Sequence, residues 1–233
     1  MHAPELRAGE IHVWHVEADA SSTARVAPLL DEAERARASR FAFPKDRDLF
    51  VTTRGWLRLL LGGYLAERGA RLSFSAGPNG KPALVGSSAK VHFNVSHSGS
   101  RALLAFAADR AVGVDIERIK DRPDVLDLAP TVFTLTEQAL LRDAPPGDRL
   151  TTFFRLWTGK EAYLKADGRG VSVPLQSFSV TPAPDLLISG VTVFDPSQSA
   201  LFVQWLRAPE GYAAALAAAG SPWELHVFRV QDM

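Results

Sequence analysis

The stretch AVGVDIER, residues 111–118, reads as a buried strand that carries two acids. Because side chains alternate across a strand, Asp115 and Glu117 share one face while Val114 and Ile116 occupy the other. Two carboxylates this close repel each other unless a cation lies between them, and magnesium prefers such oxygen ligands. The competing interpretation is a solvated polar face on an edge strand, which is the commoner origin of an isolated D-x-E pattern.

A second acid lies in the segment FFRLWTGKEAYLKADGRG, residues 153–170. On a helix, Trp157, Glu161 and Lys165 lie on successive turns of one face, so Glu161 interrupts an otherwise apolar stripe. Either Glu161 and Lys165 form a surface ion pair, or Glu161 is a third carboxylate that joins the strand acids around magnesium. We predict that Phe154 and Trp157 belong to the core.

The segment FNVSHSG, residues 93–99, places His97 and Ser98 directly after a strand. Hydrogen-bond donors at a strand end, beside a glycine that permits close approach, suit a phosphate group. An isolated histidine is more often a structural residue with its hydrogen bonds satisfied. Both interpretations of His97 stay open at this point.

Positive charge is concentrated near the first predicted helices, and Lys81 lies in the turn cluster GPNGKP, residues 77–82. For Arg37 and Arg58 we expect solvated charges whose aliphatic stems cover the core. For Arg40 and Lys45, which flank a Phe-Ala-Phe stretch, anion binding and solvation are equally consistent with the sequence.

The composition is that of an ordinary globular protein, with 46% hydrophobic residues and 26 basic side chains balanced by 26 acidic ones. This balance argues against nucleic-acid or membrane partners. We expect a cytoplasmic protein, because the sequence shows neither a leader pattern nor a spanning segment. The absence of cysteine excludes disulfides and thiolate chemistry, and the spacing of the six histidines does not indicate structural zinc.

Hydrophobic periodicity predicts alternating strands and helices. We predict strands at 10–16, 90–96, 101–108, 111–117 and across the alanine run between Gly211 and Gly220, and helices at 31–39, 45–67 and 148–166, the last closed by Asp167-Gly168. The two parts of the chain repeat this order of elements faintly. We therefore predict an α+β fold built as a pseudo-dimer of two similar α/β halves, residues 1–117 and 118–233, each a small, mainly antiparallel sheet packed with helices.

Three segments, FNVSHSG, VGVDIE and FFRLWTGKEAYLKADGRG, resemble in order and separation the signature blocks of the 4′-phosphopantetheinyl transferases, specifically the surfactin synthetase-activating type. RFAFPKDRD and GKP are similar to weaker upstream blocks, so the resemblance covers residues 37–170. It implies a pseudo-dimer with coenzyme A bound between the halves. It also implies transfer of phosphopantetheine from coenzyme A to a serine of an apo acyl or peptidyl carrier protein, with magnesium and with release of adenosine 3′,5′-bisphosphate.

The resemblance also implies roles for particular residues. Asp115, Glu117 and Glu161 would hold the metal, His97 would contact a coenzyme A phosphate, and Lys165 would lie beside the reacting pyrophosphate. Weaker matches suggest further coenzyme A contacts at Arg40, Lys45, Lys81 and Ser96. For the base that accepts the serine proton we favour Glu161, directly or through water, because Lys165 would need its pKa lowered by about three units to act near neutrality.

Two other functions compete with this interpretation. A non-catalytic coenzyme A or nucleotide-binding module would use the same scaffold without transferring the group. A magnesium-dependent nuclease would use the same acids, although the neutral charge argues against it. We expect a monomer, and the sequence does not distinguish fatty acid, polyketide and nonribosomal peptide carriers.

Overall fold

The structure is a computed structural model of the 233-residue chain. It describes residues 3–76, 82–86, 91–122, 124–168, 173–180, 188–192, 201–220 and 222–233. The chain divides into two compact units: unit 1 comprises Met1–Phe93, Ser100–Asp109 and Glu224–Met233, and unit 2 comprises Asn94–Gly99 and Arg110–Trp223. These units interleave segments from both sides of Glu117, and a domain boundary at that residue stays a prediction.

In its described residues, unit 1 combines three α-helices with strands of a four-stranded sheet and a separate two-stranded sheet. Its elements are β1 (Glu10–Glu17), α1 (Ala20–Val26), α2 (Glu32–Ala38), α3 (Pro44–Tyr64), β2 (Ser73–Ala76), β3 (Pro82–Val85), β5 (Arg101–Ala107) and β11 (Glu224–Arg229), together with the start of β4 (His92–Ser98). Strand β1 pairs antiparallel with β5 and parallel with β11. Helix α3, which the sequence predicted, buries an apolar stripe that includes Trp56, Leu57 and Leu60.

Arg58 corrects one prediction in unit 1. Its side chain is fully buried in α3 rather than solvated. The guanidinium donates to Glu34 Oε2 at 2.6 Å, pairs with Asp31, and donates to the carbonyl oxygen of Leu72 at 2.7 Å. These acceptors stabilise the buried charge, because each one offsets part of the hydration that the guanidinium loses. Arg58 therefore has a structural role.

Unit 2 packs its helices against an antiparallel sheet. Its elements are the rest of β4, β6 (Val112–Arg118), α4 (Val125–Val132), α5 (Leu135–Asp143), α6 (Arg149–Asp167), β7 (Ser179–Val180), β8 (Ile188–Thr192), β9 (Leu201–Trp205) and β10 (Tyr212–Ala219). The strand order is β6-β10-β9-β8-β7. Helix α6 crosses so close to β6 at Gly113 that a Cβ at this position would collide with the α6 backbone at Ala162 and Ala166.

These elements confirm the predicted α+β class and most of the predicted segments. The alanine run forms a strand, β10, and α6 ends at Gly168 in the left-handed conformation (φ 81°) that favours glycine at a helix end. Helix α3 ends at Tyr64, three residues before the predicted end. The predicted turn at 77–82 lies almost entirely outside the described residues. Within the described ranges, no helix combines the length and the apolar character needed to cross a membrane.

Candidate active site

The acid-bearing strand β6 is held by polar side chains of β4. Alternate residues of β4 point at β6, as the two-residue period of a strand requires. Val114 N donates to Asn94 Oδ1 (2.9 Å), Ile116 N donates to Ser96 Oγ (3.3 Å), and Arg118 N donates to Ser98 Oγ (3.1 Å). Because β6 is the edge of its sheet, these side chains satisfy N–H groups that would otherwise lack a strand partner.

The same two serines reach the strand acids. Ser96 Oγ donates to Asp115 Oδ1 at 2.7 Å, and Ser98 Oγ donates to Glu117 Oε2 at 2.6 Å. Asp115 is only 3% exposed, so the interpretation of a solvated polar face is wrong for this residue. The second oxygen of Asp115, Oδ2, is buried without a hydrogen-bond partner. A buried carboxylate oxygen in that state can accept a bond from a ligand or cation at little further desolvation cost.

Helix α6 presents three side chains of one stripe to these acids, as the sequence predicted. Lys165 Nζ donates to Asp115 Oδ1 at 2.6 Å and to Ser96 Oγ at 3.0 Å. Together the strands and the helix line an open cleft of about 290 Å³. The lining residues are Val95, Ser96, His97, Asp115, Glu117, Trp157, Glu161 and Lys165. Six of the predicted site residues therefore meet in one place.

The cleft carries more negative charge than its own cations balance. Burial raises the pKa of Glu161, and the nearby charges of Asp115 and Glu117 raise it further while Lys165 lowers it. Burial also raises the pKa of Glu117, the Ser98 hydroxyl lowers it, and Asp115 raises it. Raised carboxyl pKa values together with the unpartnered Asp115 Oδ2 fit a site completed by a divalent cation.

The three acids do not converge as tightly as a formed metal site requires. Within the described ranges, the one group of three acid or histidine side chains whose ligand atoms all lie within 4.8 Å of one another is Glu10, His12 and His226. The cleft contains Asp115, Glu117 and Glu161, but their carboxylate oxygens do not all lie within 4.8 Å of one another. Their joint coordination of a metal stays a prediction, and it would require side-chain rotation.

The structure places two other predicted coenzyme A contacts in unit 1. Arg40 and Lys45 are exposed in unit 1, where Arg40 Nε donates to the carbonyl oxygen of Ala36 and Lys45 lies over the ring of Phe43. Lys81 lies outside the described residues. A coenzyme A site between the halves also stays a prediction.

Several residues of the site were missed by sequence reasoning. Asn94 was missed: it positions β6, and the alternation N-x-S-x-S was the signal that could have identified it. His97 and Ser98 were expected directly after a strand, whereas both lie within β4, where Ser98 donates to Glu117. Lys160 was also missed. It is buried against Glu137 at 2.9 Å, with both side chains 0% exposed, and it anchors α6. Phe154 is buried, as predicted for a core residue, whereas Trp157 is only half-buried and lines the cleft.

A second cleft of about 330 Å³ in unit 2 has Glu117 and Trp157 in common with the first. Its floor is apolar and includes Phe153 and Phe154, which also belong to a core cluster with α4 and α5. Its remaining lining residues are Arg118, Lys120, Arg122, Leu128 and Val132. The three cations give this cleft a positive rim.

Three carboxylates beside a lysine and a histidine in an open cleft are the groups used by proteins that transfer phosphate-linked groups with the help of a metal. Comparison with known proteins narrows this class. The sequence profile of the 4′-phosphopantetheinyl transferase superfamily matches residues 111–217, and the profile described as 4′-phosphopantetheinyl transferase, N-terminal, matches residues 14–109.

Individual relatives agree with the profiles. The chain is 35% identical over 227 residues to the 4′-phosphopantetheinyl transferase HetI of Nostoc sp. strain PCC 7120, covering 94% of this chain and 92% of HetI. It is 31% identical over 202 residues to the 4′-phosphopantetheinyl transferase Sfp of Bacillus subtilis strain 168, covering 82% and 88% of the two chains. The protein belongs to the 4′-phosphopantetheinyl transferase superfamily and is of the Sfp-like type.

Proposed function

We propose that this protein transfers 4′-phosphopantetheine from coenzyme A to a serine of an apo acyl or peptidyl carrier protein, with magnesium as its metal. The observation that carries the proposal is the single cleft in which residues of all three sequence blocks meet: Ser96 and His97, Asp115 and Glu117, and Glu161 and Lys165. The function of the named relatives supports it. Action in the cytoplasm, as a monomer, is part of the proposal.

Asp115, Glu117 and Glu161 are the residues that would hold magnesium. When bound, the ion neutralises pyrophosphate oxygens and stabilises the charge that develops on the leaving phosphate. Lys165 and His97 supply donors from the wall of the cleft, and Lys165 is already oriented by Asp115 and Ser96. Fixed donors of this kind stabilise a transition state without needing to reorganise.

Glu161 is the proposed base. The serine oxygen forms a bond to the phosphorus that carries the pantetheine arm, the bond from that phosphorus to adenosine 3′,5′-bisphosphate breaks, and Glu161 takes the serine proton directly or through water. Burial raises the pKa of Glu161 above its ordinary value, which makes the carboxylate a stronger base. A Glu161→Gln enzyme, assayed at a magnesium concentration high enough to offset the loss of one carboxylate ligand, should lose turnover. Normal turnover by that variant would exclude this role.

We also propose that the carrier protein docks over the second cleft. That cleft opens beside Glu117 and combines an apolar floor with the exposed cations Arg118, Lys120 and Arg122, which fit a partner with an acidic surface. Reversing Lys120 and Arg122 to glutamate should raise KM for the carrier and leave KM for coenzyme A unchanged. Arg142→Glu, on an exposed part of α5, is the matched control. Equal carrier KM for both variants would contradict this docking site.

The direct test is to incubate the protein with coenzyme A, magnesium and an apo carrier protein, and to measure the intact mass of the carrier. The proposal predicts a gain of one phosphopantetheine, absent when the carrier serine is changed to alanine. Binding of coenzyme A without any mass gain across a panel of carriers would favour the non-catalytic module. Cleavage of DNA or RNA under the same conditions, without a mass gain, would favour the nuclease.

A further inference from the structure

Strands from the two ends of the chain bring four potential metal ligands to one face of the unit 1 sheet. Strand β1 pairs with β11 in a parallel register that sets Glu10 beside Glu224 and His12 beside His226. Residues two apart on a strand point to the same side, so all four side chains share a face. This cluster belongs to unit 1, whereas the residues that line the acid-lined cleft belong to unit 2.

The ligand atoms are already close together. One ligand atom from each of Glu10, His12 and His226 lies within 4.8 Å of the other two. Oε2 of Glu10 is 3.4 Å from Nε2 of His12, and the two imidazole rings are 5.2 Å apart. Nε2 of His226 is buried and makes no hydrogen bond, although Oε1 of Glu224 lies 3.3 Å away.

His12 is held as a metal-binding histidine usually is. Its ring is 2% exposed, and Nδ1 lies 2.9 Å from the hydroxyl oxygen of Tyr64, which also accepts a bond from Trp14 Nε1 at 2.8 Å. If Nδ1–H donates to Tyr64, Nε2 presents its lone pair toward Glu10. An outer hydrogen bond of this kind fixes the tautomer and orientation of a ligating histidine.

We propose that Glu10, His12 and His226 bind a zinc ion that links the N-terminal strand β1 to the C-terminal strand β11, with Glu224 or water as the fourth ligand. Two imidazoles and a carboxylate suit zinc, whereas magnesium prefers oxygen ligands alone. Histidine spacing along the sequence did not predict this site, because its ligands come from opposite ends of the chain. The zinc ion would stabilise the pairing of β1 with β11, and it is independent of the proposed transfer activity.

The test uses the full-length protein, stripped with EDTA and titrated with zinc sulfate alone by calorimetry. The wild type should bind one zinc that His226→Asn and Glu10→Gln bind at least about tenfold more weakly. His92→Asn, a change at an exposed histidine, should behave as the wild type. At a hundredfold excess of zinc over Kd, Tm of the wild type should rise by about 5–10 °C, and Tm of His226→Asn should not.

Circular dichroism of the zinc-free proteins checks that each variant folds, and two substitutions at different ligands guard against a folding defect in one of them. Asp115→Asn removes a carboxylate from the acid-lined cleft and leaves the proposed zinc ligands unchanged. This variant should therefore still bind the zinc. The proposal is overturned if the wild type and His226→Asn bind zinc with the same stoichiometry and affinity. It is equally overturned if Asp115→Asn loses the zinc that His226→Asn keeps.

Discussion

Lys160 and Lys165 lie five residues apart on helix α6, and each pairs with a carboxylate, yet the two pairs have different surroundings. Lys160 Nζ donates to the carbonyl oxygens of Leu175 and Phe178 at 2.6 Å and lies 2.9 Å from Glu137 Oε2, with no exposed surface. The side chain of Lys165 is 27% exposed and pairs with Asp115 in an open cleft.

The carboxylates differ in the same way. Both oxygens of Glu137 are satisfied within the protein, by Val180 N at 2.6 Å, by Thr134 N at 2.9 Å and by Lys160. Asp115 keeps a buried oxygen with no partner. A closed pair with complete hydrogen bonding fixes a helix in place, whereas an open pair with one acceptor left over can bind a ligand.

The largest effect is expected from breaking the closed pair. Lys160→Met leaves Glu137 buried without its cation, which should lower the free energy of unfolding by about 3–5 kcal/mol. Urea unfolding measures this change. The double variant Lys160→Met/Glu137→Leu should lose less than the sum of the two single losses, because the uncompensated charge is gone. A single variant within about 1 kcal/mol of the wild type would mean that the pair does not anchor α6.

Removing Lys165, the cation of the open pair, should lower activity more than stability. Lys165→Met should reduce kcat/KM for carrier modification by about 10²–10³-fold, the usual cost of losing one donor to developing charge. Its free energy of unfolding should fall by less than that of Lys160→Met, because Lys165 is partly exposed and Asp115 Oδ1 keeps the Ser96 hydroxyl as a donor. Arg155→Met, on an exposed part of the same helix, is the control and should retain activity. If Lys165→Met lost much of its stability but kept its turnover, the open pair would be structural, as the Lys160 pair is, and the comparison would be wrong.

The open pair depends on the distance between β6 and α6, which can be changed at Gly113. A Cβ at Gly113 would collide with the α6 backbone at Ala162 and Ala166, so Gly113→Ala should cost about 1–3 kcal/mol. Turnover should fall as well, because Lys165 would move away from Asp115. Gly147→Ala, where a Cβ meets nothing within 4 Å, is the matched control. Thermal unfolding measures the stability of Gly113→Ala, and the carrier assay measures its turnover. Wild-type values in both measurements would contradict the close packing of α6 against β6.

The smallest effect concerns His15, a half-buried histidine that lies near positive charge. Burial, Arg229 and Arg101 all lower the pKa of His15 below its ordinary 6.5. Between the lowered folded value and 6.5 the unfolded chain binds more protons, so stability rises with pH across that window and is lost as the pH falls below about 6.5.

This stability difference can be measured at pH 7 and pH 5 by urea unfolding in EDTA. The wild type should lose up to about 1 kcal/mol more than His15→Gln between these two pH values. The same loss of unfolding free energy in both proteins would show that folding does not lower the pKa of His15.

Local periodicity predicted much of the active cleft. The two-residue period placed Asp115 and Glu117 on one face of β6, and the helical period placed Trp157, Glu161 and Lys165 on one stripe of α6. The structure brings these two sets of residues to the same cleft. Side-chain periodicity determines which face a residue occupies, so predictions of this kind succeed when the element itself is correctly assigned.

Partners that are distant in sequence could not be predicted in this way. Arg58 was predicted to be solvated because its acids, Asp31 and Glu34, belong to another helix. Lys160 gave no sign of its partner Glu137 for the same reason. Burial of a charge depends on which elements pack together, and a single sequence contains little information on that.

The central claim is that Asp115, which lines the open cleft, serves the transfer reaction. The most direct test compares the rate of carrier mass gain for wild type and Asp115→Asn, with coenzyme A and magnesium, at a temperature where both are folded by circular dichroism. We predict complete carrier modification by the wild type, no modification in EDTA, and a rate at least about 100-fold lower for Asp115→Asn. A folded Asp115→Asn protein that modifies the carrier at the wild-type rate would contradict the account.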